Sequence, residues 1–203
     1  MKTKRLVMAG VMAMALAGGA GTALALGDGT TQTTTAAADG TGSVAPAAAT
    51  AVTATTAGPR VVQPYRPVEI GQGAKMGLLP QGRQNYVVAW EDFASAVEQA
   101  KGYVGDSIRP NSLSGGLQTD GDDALFTGAF RTDTVPSRIT VRVGAGPEQA
   151  AGMLMLPGEP GWGTYYLDAA GAGAPKETTV VTAYGADGAV LATLSFEPFA
   201  AGR

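Results

Sequence analysis

The rhythm of hydrophobic and polar residues changes several times along this chain, and each change marks an element. Val68-Glu69-Ile70 starts a short strand that stops at Gly71-Gln72-Gly73. Met76 to Leu79 and Asn85 to Ala89 are apolar runs flanking Pro80-Gln81-Gly82-Arg83, the pattern of a hairpin. The period then lengthens. Phe93, Val97, Ala100 and Val104 recur at spacings of 4, 3 and 4, with Ala96 between them. That is one face of a helix, predicted from about Glu91 to Lys101. Glu91 and Asp92 fall in its first turn and Lys101 in its last, which suits the helix dipole, and Gly102 stops it. Asp106 to Thr119 carries Pro110 and Gly115-Gly116 and reads as loop.

Beyond Thr119 the pattern is β. Ala124 to Arg131 is apolar and rich in strand formers. Pro136 separates it from Arg138 to Val143, which alternates and predicts one wet face. Met153 to Leu156 is short and apolar, and Gly163 to Leu167 holds Tyr165-Tyr166. Thr179 to Tyr184 and Ala189 to Phe196 flank Gly185-Ala186-Asp187-Gly188, whose Asp-Gly pair is expected to take the positive φ angles of a tight turn. About seven short strands with regular turn signals predict a mainly β fold, an Ig-like β-sandwich with the one helix capping an edge or end. A five- or six-stranded α+β sheet is the alternative.

Arg138 to Val143, the aromatic turn Leu156-Pro157-Gly158-Glu159-Pro160-Gly161-Trp162-Gly163-Thr164-Tyr165-Tyr166, and Val181 to Leu191 together resemble the C-terminal part of uncharacterised secreted proteins of actinobacteria. The resemblance implies a β-sandwich and a cell-envelope setting. It implies no activity and no functional residue.

The N-terminus supports that setting. Lys2, Lys4 and Arg5 precede an uncharged run from Leu6 to Leu26 that closes on Ala23-Leu24-Ala25. A basic start, an apolar middle and a small-x-small end are the marks of a secretory signal over residues 1–25, with cleavage expected before Leu26. Retention as an anchor is the rival reading. Gly10, Gly18, Gly19, Gly21 and Thr22 dilute the run, and its dense apolar part, Leu6 to Ala17, is too short to span a bilayer. Residues 26–59 form a linker: positions 27 to 59 hold 10 Thr, 10 Ala, 5 Gly and 2 Pro and no aromatic. Such a segment buries too little to offset its ordering entropy and is expected to be disordered, either plain or O-glycosylated. Residues 60–203 remain as one β-rich domain.

Composition narrows the chemistry. The chain has no cysteine, so neither a disulfide framework nor lipid attachment at a cysteine after the cut is possible. It has no histidine, which removes Ser-His-Asp and Cys-His catalysis and most transition-metal sites. Loss of residues 1–25 leaves 11 Lys+Arg against 17 Asp+Glu, with the cations scattered singly. That argues against nucleic acid or an anionic membrane as partner.

The candidate sites in the sequence are few. Asp120, Asp122 and Asp123 fail as a calcium loop, because the sixth and twelfth positions are Leu125 and Arg131. They read instead as a polar turn. Glu91-Asp92 and Asp122-Asp123 are adjacent carboxylates, but glycoside hydrolysis needs two that flank one bond, which sequence neighbours do not show. Gly71-Gln72-Gly73 lacks the rest of a nucleotide fingerprint. Trp90, Trp162, Tyr165 and Tyr166 are the large aromatics. Trp162 either folds over the sandwich end or stands exposed for a sugar or partner, and alternation sends one of Tyr165 and Tyr166 inward and the other outward. No catalytic, binding or metal-binding residue is assigned, and no cofactor is implied. The leading expectation is a non-enzymatic interaction module, secreted or in the cell envelope, with an envelope component or another exported protein as partner. A carboxylate-based hydrolase of envelope glycan and an anchored extracytoplasmic regulator are the competing readings.

Overall fold

In the computed structural model, residues 58–80, 86–102, 108–158 and 161–198 are described. The expected signal segment, the linker up to Ala57, the turn from Gln81 to Asn85, and Val104 lie outside them. In chain order the elements are β1 (Arg60–Val61), β2 (Val68–Gly71), β3 (Ala74–Leu78), β4 (Tyr86–Ala89), the helix α1 (Phe93–Gly102), β5 (Ser112–Asp120), β6 (Asp123–Arg131), β7 (Arg138–Val143), β8 (Gln149–Ala150), β9 (Gly152–Met155), β10 (Trp162–Ala169), β11 (Thr179–Tyr184) and β12 (Val190–Phe196). Among the described residues no helix is long and apolar enough to cross a membrane.

The strands form three sheets. A central sheet runs β1-β9-β10-β6-β5, an outer sheet runs β12-β11-β7-β8, and a small sheet runs β2-β3-β4. All pairings are antiparallel except β1 with β9, which is parallel. The fold is mainly β, as the patterning predicts, and the central and outer sheets form a β-sandwich. There are twelve strands rather than about seven. β1 and β8, of two residues each, and β5 lie outside the runs that the pattern marks as strands.

The organisation follows from β6. Its residues Ala124 to Phe130 are all buried, on both faces of the strand. Ala124, Phe126 and Phe130 share a core with Ile139, Val141, Val181 and Ala183 of the outer sheet. Leu125, on the other face, shares a second core with Val68, Ile70, Ala74, Met76 and Leu78 of the small sheet. The far face of the small sheet then receives α1 through Leu79, Val87, Val97 and Ala100. The result is four layers, with sheet on sheet on sheet and then helix. A continuous apolar run, rather than an alternating one, is what a strand covered on both faces requires.

Tyr165 and Tyr166 illustrate the consequence. Alternation does separate them, but neither reaches open solvent as a free outward face would. Tyr165 belongs to the core under the outer sheet, and Tyr166 packs against the core under the small sheet. The expected wet face of β7 is likewise only partial, since Thr140 is buried beside Arg138 and Arg142.

The segment expected as loop is a nine-residue strand, β5. Its Gly115 stands opposite Gly128 of β6, and Gly128 stands opposite Tyr165 of β10. The Tyr165 ring lies over Gly128 and its hydroxyl reaches Gly115, where Phe196 also packs, so a Cβ at either would meet Tyr165. Its hydroxyl donates to the Ser114 carbonyl oxygen at 2.8 Å. Here the glycines are not breakers; they are the floor on which an aromatic ring rests. Phe130 covers Gly163 and Tyr166 covers Gly152 in the same way, each across the strand pair.

The hairpin β2–β3 turns at Gln72-Gly73, both at positive φ (53° and 70°), which matches the twist of the strands it joins. Gln72 Nε2 donates to the Ala124 carbonyl at 3.0 Å and to Asp168 Oδ1 at 2.8 Å. This turn latches the small sheet to the central one. The closing hairpin β11–β12 is as expected, but only Gly188 takes positive φ (82°). Asp187 instead accepts the Ala189 N–H at 3.0 Å.

Candidate functional site

Most residues singled out by sequence serve the fold. Asp120 and Asp123 face each other across the β5–β6 turn, where Gly121 takes φ 61°. Asp123 Oδ1 accepts the Gly171 N–H at 3.0 Å, and the Asp122 carbonyl accepts that of Gly173 at 2.7 Å. Glu91 and Asp92 precede α1 instead of sitting in its first turn, because Asp92 is the cap. Its Oδ1 accepts the Ser95 N–H at 3.0 Å, satisfying a helix-end donor. Gly71-Gln72-Gly73 is the latch described above. Trp90 and Trp162 are half-buried and pack, with Tyr166, on the core under the small sheet. The structure therefore brings Trp90, Trp162 and Tyr166 to one core and Tyr165 to the other.

Two phenols meet near the middle of the stack. Burial pushes the Tyr86 phenol up to about 12, while the Ser114 and Thr127 hydroxyls beside it pull the other way. Burial also raises Tyr165 well above its ordinary value, and the neighbouring Tyr86 adds to this. Both stay neutral at any physiological pH, so neither is poised as a general base.

A concave surface lies beside α1. It has a volume of about 570 Å³ and is open on one side. It is lined by Tyr65 and, from α1 and its cap, by Asp92, Phe93, Ala94, Ser95, Val97, Glu98 and Lys101. The helix is held in place by Phe93, whose ring lies on Gly77 of β3, and by the Asp92 cap.

Tyr65 is the unusual member. It sits in the left-handed region, φ 60°, which costs a non-glycine residue about 1 kcal/mol or more. Its N–H donates to the Leu78 carbonyl at 2.9 Å, tying the strained turn to the end of β3. In this posture its ring lies under Lys101, with Nζ 5.1 Å from the ring centroid. Lys101 Nζ also donates to Glu98 Oε1 at 2.6 Å. That hydrogen bond raises the Lys101 pKa, so the ammonium is firmly charged.

Sequence reading missed this site. Lys101 reads as a complement to the helix dipole, and Tyr65 lies in a stretch punctuated by Pro64 and Pro67. The pairing arises only when β3 brings the Tyr65 turn under the helix. A second surface, the outward face of the outer sheet, carries Arg138 stacked 4.2 Å from the Tyr184 ring centroid. Its charge is balanced nearby. Tyr184 Oη donates to Glu148 Oε1 at 3.1 Å, and Glu177 lies against Gly144, the residue whose carbonyl Arg142 holds at 2.9 Å.

Fold and groove together define a class: a layered β protein with an open surface cleft between a strained turn and a capping helix. No family model, curated protein or solved structure matches the chain.

Proposed function

We propose that this is an exported, non-enzymatic interaction module that engages an envelope component or another exported protein. The observation that carries the reading is the groove beside α1, with Tyr65 held in a strained backbone state to form its wall. Strain of this kind is retained where it positions a working side chain. The groove is too open to enclose a small molecule as a buried pocket does. It has the form that receives a side chain or short segment of a larger partner. The carboxylates give further support, because so many have structural work: Asp92 caps a helix, Asp123, Asp168 and Asp187 hold turns, and Glu148 is bonded to Tyr184.

The test is site-specific photo-crosslinking in the native envelope. A photoreactive residue in place of Ala94, which is exposed and lines the groove, is expected to give a discrete adduct. The same residue in place of Ala186, in the distant β11–β12 turn, is expected to give none. Equal labelling from both positions, or turnover of purified envelope glycan by the mature protein, would overturn the reading. In the same preparation the N-terminus is expected at Leu26.

A further inference from the structure

We propose that the Tyr65–Glu98 corner of the groove is a receptor for a cationic side chain, a lysine or arginine on the partner, and that Lys101 occupies it in cis as a placeholder. This rests on the interaction-module reading and names the chemistry that its groove selects.

The corner already holds a cation, Lys101. An aromatic face with a carboxylate at its edge is a cation site: the ring quadrupole attracts the ammonium and the carboxylate accepts its hydrogen bonds. Here the ring is Tyr65, the carboxylate is Glu98, and the ammonium between them is Lys101, at 5.1 Å and 2.6 Å respectively. The arrangement is not a product of the helix alone. Glu98 and Lys101 would pair on any helix at this spacing. The ring is brought in from another element, on a residue whose backbone is strained to place it there.

The contact is also open to exchange. The Lys101 and Glu98 side chains are 43% and 70% exposed, so an incoming cation reaches the same carboxylate and ring from solvent. Lysine carries its charge on a flexible four-carbon stem and can swing aside. Charge favours the exchange. The chain has a net charge of −3, and Glu91, Asp92 and Glu98 on α1 and its approach outnumber Lys101 and Arg66, the residue after Tyr65. A partner that brings a cation is drawn to this surface, and an anionic one is repelled. Glu69–Lys75, the other ion pair among the described residues, has no ring beside it.

The experiment is an NMR titration of residues 26–203 that follows the Tyr65 ring protons, with three capped tripeptides as probes: Gly-Lys-Gly, Gly-Glu-Gly and Gly-Gln-Gly. The lysine peptide is expected to shift the Tyr65 resonances saturably, and the other two are not. Lys101→Met removes the placeholder, and is expected to tighten lysine-peptide binding by about threefold to fivefold. Glu98→Gln, read at the same ring protons, and Tyr65→Leu, read at the Glu98 and Lys101 backbone amides, are each expected to weaken it at least as much. Rising salt is expected to weaken binding to the wild type and to Lys101→Met alike. Equal binding of all three peptides, no binding of any, or unchanged affinity in Lys101→Met would overturn the proposal. None of these results would affect the crosslinking result at position 94, so failure here is distinguishable from failure of the interaction-module reading.

Discussion

Gly128→Ala is expected to destabilise the protein by about 3 kcal/mol, at the upper end of what overpacking a core costs. The added methyl would fall on two groups at once, the Ser114 carbonyl oxygen on one neighbouring strand and the Tyr165 ring on the other. Neither can yield. Ser114 is main chain inside the β5–β6 ladder, and Tyr165 is 1% exposed with its hydroxyl bonded to that same carbonyl. Since domains are stable by only about 5–15 kcal/mol, the loss is a large fraction of the total. Urea unfolding would report it as a lower midpoint at unchanged slope. A double-mutant cycle sharpens the test. Tyr165→Ala alone is expected to cost about 3–5 kcal/mol as a cavity. With the ring gone, half of the obstruction at position 128 is gone too, so the pair is expected to cost clearly less than the two single changes together. Strict additivity would mean that ring and glycine are not in contact.

Leu125→Ala is the second large effect, expected at about 3 kcal/mol, within the range for buried leucines. Its value lies in what it separates. In a two-sheet sandwich, Ala124, Phe126 and Phe130 would face the core and Leu125 would face water, where truncation costs almost nothing. In the stack described here Leu125 is fully buried between the central and small sheets. Thermal or urea unfolding of this one variant decides between the two architectures: a loss below about 0.5 kcal/mol, the size of a surface change, would rule out the third sheet.

Much of the fold was legible in the sequence because local pattern and final environment agree. β7 and the β11–β12 hairpin stand where alternation and the turn residues place them. The helix follows from Phe93, Val97 and Ala100, all of which pack against or within its core. The errors have physical causes. Gly115-Gly116 resembles a break because the residue that requires the space, Tyr165, lies 50 positions away in the chain. The mostly apolar run of β6 fits burial on both faces, but what covers the second face comes from the two short hairpin strands β2 and β3, whose few residues do not advertise a separate sheet. β1 and β8 have two residues each and carry no period at all.

The candidate site was harder to read. Trp90, Trp162, Tyr165 and Tyr166 attract attention in a chain with few aromatics, yet Tyr165 is a core residue and the other three pack against a core. The residues of the groove are ordinary in sequence. A positive φ at Tyr65 depends on its hydrogen bond to Leu78, and its contact with Lys101 depends on the docking of α1. Neither dependence leaves a local trace.

The latch at Gln72 sets how this molecule breathes. Strands β10 and β6 have partners on both sides within their sheet and a packed layer above and below. Their amides have no path to water short of opening the whole stack. The small sheet and α1 are the last two layers, held to the central sheet by the apolar core around Leu125 and, at one end, by two hydrogen bonds from Gln72. They can lift as a unit while the sandwich stays closed. Amide hydrogen exchange is therefore expected to divide the chain into a slow block centred on β6 and β10 and a faster block covering β2, β3, β4 and α1. Gln72→Ala is expected to speed only the second. The groove belongs to that faster block, so the surface proposed to meet a partner is also the part of the protein that opens first.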